Sequence, residues 1–375
     1  MRPGEMFKEG AGMLRTVMVG GSTMVTLGKG VRSLQDELDG LGIDLEEEFQ
    51  EVETELNVKP LPEEFMGDRT RILMEAAEEL GYDARPMPKF VDFSRCKKCG
   101  MCVTGCPYGA KWTAQNFLAE ARKAGARILT ESHVEHVLHS NGEVKGVHVR
   151  GKSGRFDIEA EHVILAAGGI GTPKILQRSG LEEAGSDLFA DLFVNTYGMI
   201  DGADWGEEMG MGTIIDQFHG SDGFILSPIL DTQLDMLLYL PLSKKLRAFG
   251  RNRMLGLMTK IKDDSSGKIE PDGTIHKPVT EGDRKKLEKG VRISKEILLQ
   301  AGARGESLYT TRVRGGHLGG TAGMNRIVNK DQEMEINGLF VSDASVLPEA
   351  PGAPPVLAIV ALSKRLSKLL LSEYL

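Results

Sequence analysis

Apolar residues in TRILMEAAEELG (70–81) recur at the interval of a helix: Ile72, Leu73, Ala76, Ala77 and Leu80 share one face, and Gly81 stands where a C-cap belongs. Residues 34–56 are acidic with the same period, which predicts a pair of solvated surface helices. WTAQNFLAEARKAGA (112–126) repeats the helical pattern through Ala114, Phe117, Leu118 and Ala121 up to Gly125, and ARILTES (126–132) predicts a return to strand. Beyond residue 133 the period changes to two. In VEHVLHSNGEVKGVHVR (134–150), alternating segments flank Asn141-Gly142, a dipeptide that tolerates the positive φ angles of a tight hairpin turn. RFDIEAE (155–161) adds a strand, Val163 to Ala167 a buried one, and a glycine turn follows. Residues 180–280 mix short apolar runs with glycines and predict an antiparallel sheet with peripheral helices. Thr280 and Asp283 open a helix over 280–301 whose face carries Leu287, Val291, Ser294 and Leu298. The C-terminal VLAIVALSKRLSKLLL (356–371), interrupted by Lys364, Arg365 and Lys368, predicts a core helix.

At 375 residues the chain has room for two domains, or for one with an insertion. Its formal net charge of -8, with basic residues scattered, gives no basis for a nucleic-acid or anionic-membrane partner. The longest apolar runs, FILSPIL (224–230) and MLLYLPL (236–242), are too short for a membrane span. The opening MRPGEMFKEGAGML carries charges of both signs and no sustained apolar stretch, so no secretory signal is expected and a reducing cytoplasm is the expected compartment.

All four cysteines lie in CKKCGMCVTGCP (96–107). In a reducing compartment such a cluster points to metal ligands before disulfides. Cys96, Cys99 and Cys102 match the first three ligands of a ferredoxin-type segment, and Cys106-Pro107 the fourth. The spacing leaves several readings open: a [4Fe–4S] cluster with Cys106 bent inward, a cluster with a non-cysteine fourth ligand, tetrahedral zinc, or reduced thiols at a loop core. The cluster stands first among them and zinc behind it. His133, His136 and His139 share no such promise, because a step of three on a strand reverses the face.

Four segments taken together and in order, VMVGGSTMV (17–25), GGIGTP (168–173), GGHLGGTAGM (315–324) and NGLFVSDASVLPEAPGAPPVLAIVALSKRL (337–366), resemble the glucose-methanol-choline (GMC) family of flavoprotein oxidoreductases. CGMCVTGCPYGAK (99–111) is similar to a cysteine-rich branch of that family. The resemblance implies an α/β (α+β) fold class with three parts: an incomplete Rossmann-like FAD-binding domain (1–33, 125–180 and 325–375), a helical and cysteine-rich segment (34–124), and an antiparallel-sheet substrate-binding domain (181–324). It implies FAD as cofactor, with Gly20, Gly21, Ser22, Val134, Gly168, Gly169, Thr172, Asp343, Ala344 and Pro355 around it. Glycines at such points let backbone approach a flat ring or a pyrophosphate, and a helix N-terminus at Pro354-Pro355 would stabilise negative charge on a flavin. His317, in H-x-x-G-T, is implied as the base that takes the hydroxyl proton of a small-molecule alcohol-type substrate while hydride passes to the flavin.

Two departures stand out. The family's second histidine or asparagine ahead of the last helix is Pro354 here, and the strand, G-x-G-x-x-G turn and helix that hold the ADP half of FAD have no counterpart. The chain is therefore expected to be a family member without its dinucleotide-binding start, and a chain supplying that unit is one expected partner. A cluster near the flavin would give electrons an exit other than dioxygen, which implies a dehydrogenase with an electron-acceptor protein. An iron–sulfur subunit without flavin, or an inactive fragment, is the competing expectation.

Overall fold

The computed structural model describes residues 5–240 and 242–373. Helices α1 (Gln35–Gly40) and α2 (Glu46–Glu55) occupy the acidic stretch, but they are not simply solvated, since Leu38, Phe49 and Val52 are buried. The acidic side of α2 meets the basic residues that interrupt the C-terminal helix: Lys364 pairs with Glu51 and Glu55, Lys368 with Glu48. The charges that suggested exposure therefore mark a helix–helix contact. α3 (Asp68–Glu79) buries Leu73, Ala76 and Ala77 and stops at Gly81, φ 82. α4 (Gln115–Lys123) ends ahead of Gly125, φ 96. Residues 126–132, expected as a strand, are irregular, with Ile128 39% and Leu129 51% exposed. No strand among the described residues pairs with them, and an apolar segment without a ladder partner has nothing to fix it as a strand.

β1 (His133–Ser140), β2 (Glu143–Gly151) and β3 (Gly154–Glu159) form the expected antiparallel meander, with Asn141 and Gly142 at φ 52 and 77 in the first turn. β4 (Val163–Leu165) then leads into Gly168, φ 78, where only a turn was expected and α5 (Gly168–Arg178) begins instead. α5 runs through Pro173, which has no N–H for the Gly169 carbonyl. That carbonyl accepts from Thr321 Oγ1 at 2.9 Å, so the proline ties α5 to a distant turn.

β5 (Phe193–Met199), β6 (Phe224–Pro228) and β7 (Met254–Ile261) make the antiparallel centre of a six-stranded sheet, with β7 in the middle. The short strand Arg314–Gly315 pairs with β5, and Gly12–Met13 pairs with it in turn. α6 (Glu281–Gln300) lies across this sheet with α3 against it. Its capping box is complete: Asp283 N–H donates to Thr280 Oγ1 at 3.1 Å and Thr280 N–H to Asp283 Oδ2 at 3.0 Å. Thr280→Ala is expected to cost about 1 kcal/mol, read as a lowered urea midpoint with an unchanged slope.

β8 (Leu339–Val341) pairs in parallel with β4, and α7 (Val356–Glu373) closes the chain. One apolar core joins α2, β4, α5, β8 and α7; a second lies between the large sheet, α3 and α6. The fold is thus mixed, with a parallel pair on one side and an antiparallel sheet on the other. No described helix is long and apolar enough to cross a membrane.

Candidate active site

Asp343 caps the start of α5. Its Oδ2 accepts from Gly168 N–H at 2.8 Å and Thr172 Oγ1 at 2.5 Å, while Oδ1 accepts from Ser345 N–H at 2.7 Å. The turn that carries His317 packs directly on this cap. A Cβ added to Gly169 would stand 2.2 Å from the Leu318 carbonyl oxygen, and Ala344 O accepts from Gly320 N–H at 3.2 Å. Gly168, Gly169, Thr172, Asp343 and Ala344 therefore form one cluster, pinned to the histidine turn through Thr321. Thr321→Val would leave the buried Gly169 carbonyl unpaired, at an expected cost of about 1–3 kcal/mol, measurable by denaturant unfolding.

His317 follows the short strand Arg314–Gly315, Asp191 precedes β5, and Lys260 is the penultimate residue of β7. The register Phe193↔Lys260 and Phe193↔Arg314 brings the three strand ends together. His317 Nδ1 lies 2.9 Å from Asp191 Oδ2 and 2.5 Å from Lys260 Nζ. Lys260 Nζ also pairs with Asp191 Oδ2 at 2.8 Å and donates to Ala353 O at 2.9 Å, and Gly352 N–H donates to Asp191 Oδ1 at 2.8 Å. The loop ahead of α7, with Pro354 and Pro355, is thereby fastened to the histidine. Asp191 adopts φ 44, a left-handed conformation that costs a non-glycine residue energy. Asp263 holds it there by accepting from the flanking amides of Ala190, at 3.1 Å, and Leu192, at 3.2 Å.

The electrostatics follow from burial. Burial pushes the Asp191 carboxyl up, and Lys260 and His317 more than offset this and hold it below its usual range. Burial pushes the Lys260 ammonium down despite Asp191. For His317, burial and the ammoniums of Lys260 and Lys29 outweigh Asp191 and lower the pKa to about 4. About a quarter of the imidazole side chain stays open, 26%, while the groups on its Nδ1 side are sealed. Asp191 and Lys260 compete for Nδ1: donation to the carboxylate leaves Nε2 an acceptor, whereas acceptance from the ammonium leaves Nε2 a donor.

Gly20, Gly21 and Ser22 open a tight turn, with Gly20 at φ 89 and Gly21 at φ 57. Lys111 clamps this turn to the cysteine segment, its Nζ donating to the carbonyls of Thr23, Met24, Thr26 and Cys102 at 2.8–3.1 Å. Cys96, Cys99, Cys102 and Cys106 line one cavity beside it. Among the described residues, however, no three histidine, cysteine or acidic side chains converge as metal ligands. Cys102 is turned into a small apolar cluster, where burial raises its pKa, and Cys106 Sγ accepts from Ala110 N–H at 3.3 Å. As arranged, the four sulfurs do not fit an iron–sulfur or zinc centre, and no step is routed through one. Val134 lies opposite Val149 on β1 and packs on the first core. His136 stacks on His148, and His139 Nε2 faces Ser179 O, so these two histidines of the triplet are spent on separate contacts.

Two GMC oxidoreductase family models match the chain, the N-terminal one over residues 12–193 and the C-terminal one over 260–363. The chain belongs to the GMC oxidoreductase family. An uncharacterised protein of Methanocaldococcus jannaschii is 32% identical over 92% of this chain and 85% of its own length. An uncharacterised GMC-type oxidoreductase of Mycobacterium tuberculosis is 27% identical over 92% of this chain but only 63% of its own length. A long-chain-alcohol oxidase of Arabidopsis thaliana is 26% identical over 80% of this chain and 50% of its own. The fold is that of a solved formate oxidase of Aspergillus oryzae, with a TM-score of 0.72 at 15% identity, covering 95% of this chain and 84% of that one. Within this GMC frame, Asp191, Lys260 and Lys29 were not anticipated from sequence. A signal existed for one of them: MLGLMTKI is buried at all eight positions, and a lone lysine in such a strand needs a partner.

Proposed function

We propose that this GMC protein oxidises the CH–OH group of a small-molecule alcohol-type substrate, with FAD as the hydride acceptor and His317 as the base. The observation that carries the reading is the neutral, partly open imidazole of His317, held at Nδ1 by a buried carboxylate. In the Nδ1–H tautomer, Nε2 is left as the acceptor for a hydroxyl proton. Asp191 fixes the ring and stabilises the imidazolium that forms. The alcohol oxidase among the relatives supports the same substrate class.

The residues fit a flavin. Gly20 and Gly21 carry backbone that L-residues with side chains rarely adopt, Asp343 and Ala344 close the α5 turn, and Pro355 precedes α7, whose N-terminus favours negative charge. FAD, when bound there, supplies the two-electron acceptor. An electron exit through the cysteines has no converging ligands behind it, so dioxygen and an artificial dye are to be compared directly.

The test is an absorption spectrum of the purified protein, with flavin, iron and zinc quantified after acid release, followed by anaerobic mixing with a panel of alcohols. Bound flavin bleached by an alcohol supports the reading. A colourless protein, or iron without flavin, would sink it in favour of an electron-transfer or catalytically silent role.

A further inference from the structure

Five large apolar side chains stand out of one short stretch. Leu234 and Leu238, on the helix Gln233–Tyr239, and Leu242, Leu246 and Phe249, on the adjoining 3₁₀ segment Leu242–Arg253, are 45–86% exposed. Single exposed leucines are ordinary on a protein surface, but five within sixteen positions, on two helical pieces that touch, mark a contact surface. The inner side of the stretch is apolar as well. Met236, Leu240 and Ala248 are buried with Tyr197, Met254 and Tyr309 in a small core where β5 ends and β7 begins. A helical element that is apolar on both sides is suited to cover on both.

Nor are these side chains exposed for want of attachment. Asp231, just ahead of the helix, accepts from Arg314 Nη2 at 2.8 Å, and Arg251 Nε donates to the Asp231 carbonyl at 2.8 Å. Arg247 Nη1 donates to Ser307 O, and its guanidinium lies 5.1 Å from the centre of the Tyr309 ring. The leucines and Phe249 are thus held out on a fastened support.

Charge says what covers them. From 236 to 253 the chain carries Lys244, Lys245, Arg247, Arg251 and Arg253 and no acidic residue. Glu207 neutralises Arg251. Lys244, Lys245 and Arg253 have no ion pair among the described residues, and Arg247 meets a carbonyl and a ring rather than a carboxylate. Against these four cations stand Asp235, which accepts from Thr232, and Asp204, on Asn252, so the patch keeps an excess of positive charge. The net charge of -8 for the whole chain does not decide here, because at physiological ionic strength screening limits a charge to about 8 Å.

We propose that the outer side of residues 234–253 is a docking surface for an anionic lipid bilayer. Leu234, Leu238, Leu242, Leu246 and Phe249 enter the boundary between headgroups and acyl chains, and Lys244, Lys245, Arg247 and Arg253 stay at the level of the lipid phosphates. A second copy of the chain is a poorer occupant, since a two-fold contact would set each copy's unpaired lysines against the other's.

The test is flotation of the full chain with vesicles of phosphatidylcholine alone, and of phosphatidylcholine with about one third phosphatidylglycerol. The protein is expected to float with the anionic vesicles, at least tenfold more than with the neutral ones, and to be largely released at about 1 M salt, where the screening length is about 3 Å. Lys244→Gln combined with Lys245→Gln should weaken vesicle binding about 30-fold, at roughly fivefold per charge. Leu246→Ser combined with Phe249→Ser should weaken it at least as much. Neither pair should lower the thermal midpoint, and a fall would assign the patch to folding and overturn the proposal. The indole introduced by Leu246→Trp should shift its emission to shorter wavelength on anionic vesicles and be quenched there by brominated lipid. No flotation, equal flotation with neutral vesicles, or an indole that stays in water while the protein floats would each overturn the surface. A lipid-free dimer that Leu246→Ser with Phe249→Ser dissolves would assign the patch to a second copy instead. Binding is read without flavin or turnover, so this result and the oxidoreductase reading stand or fall separately.

Discussion

His317→Ala is expected to lower kcat by about 10²–10⁴-fold with little change in KM, because the loss falls on a proton transfer that occurs only as the substrate reacts. The pH dependence gives the prediction a second edge. His317 titrates near 4 in the folded chain against an ordinary 6.5, so the acid limb of kcat/KM should lie close to pH 4 in the free enzyme. The unfolded chain binds this proton more tightly than the folded one. Stability contributed by the neutral ring is therefore complete above about pH 6.5 and is lost as pH falls toward 4. The drop from 6.5 to about 4, at about 1.4 kcal/mol per pH unit, amounts to about 3 kcal/mol. In His317→Ala that segment of acid sensitivity should vanish from urea titrations run between pH 4 and 7. An acid limb near 6.5, or a variant that keeps both its rate and its acid sensitivity, would remove His317 from the role of base.

Lys260→Met is expected to destabilise the protein by about 3–5 kcal/mol, because it strips a buried carboxylate of its counter-ion. Asp191 is 1% exposed and keeps only the Gly352 amide and His317 as partners. The carboxylate should respond by recruiting a proton onto the imidazole. With the Lys260 ammonium gone, burial still holds the His317 pKa down, and it is expected to rise from about 4 toward its ordinary 6.5. The kinetic acid limb should move up with it, so that the variant loses activity at pH 6 before it loses it at pH 8. Imidazole nitrogen shifts in NMR follow the same proton directly. Lys260→Met combined with Asp191→Asn should recover much of the lost stability, since the second change removes the orphaned charge. If Lys260→Met alone is near neutral in stability, the ion pair is not what holds these strand ends together.

Much of the fold could be read from the chain. The α3 face, the Thr280 cap of α6 and the Asn141-Gly142 hairpin all depend on residues within a few positions of one another. There the backbone's own preferences choose among a small set of conformations. The family resemblance extended that reading to His317 and to the turns at Gly168 and Asp343. The misses share a different cause. Residues 126–132 have the composition of a strand but no neighbour to pair with, α2 is acidic yet buried against the basic face of α7, and the cysteines keep metal-ligand spacing without converging. In each case a local pattern depended on a partner that the pattern itself does not contain.

By itself, then, the sequence determined where α3 stops, where α6 starts and that the chain turns at Asn141-Gly142, while the family resemblance pointed to one histidine. Only the tertiary structure decided what surrounds that histidine. Lys260 reaches it across 57 positions and Asp191 across 126, brought together by the pairing of β5 with β7 and with the Arg314–Gly315 strand. The physical reason is range: backbone propensity acts within a turn or two. The proton affinity of His317 is set instead by burial and by charges a few ångströms away in space, wherever in the chain they come from.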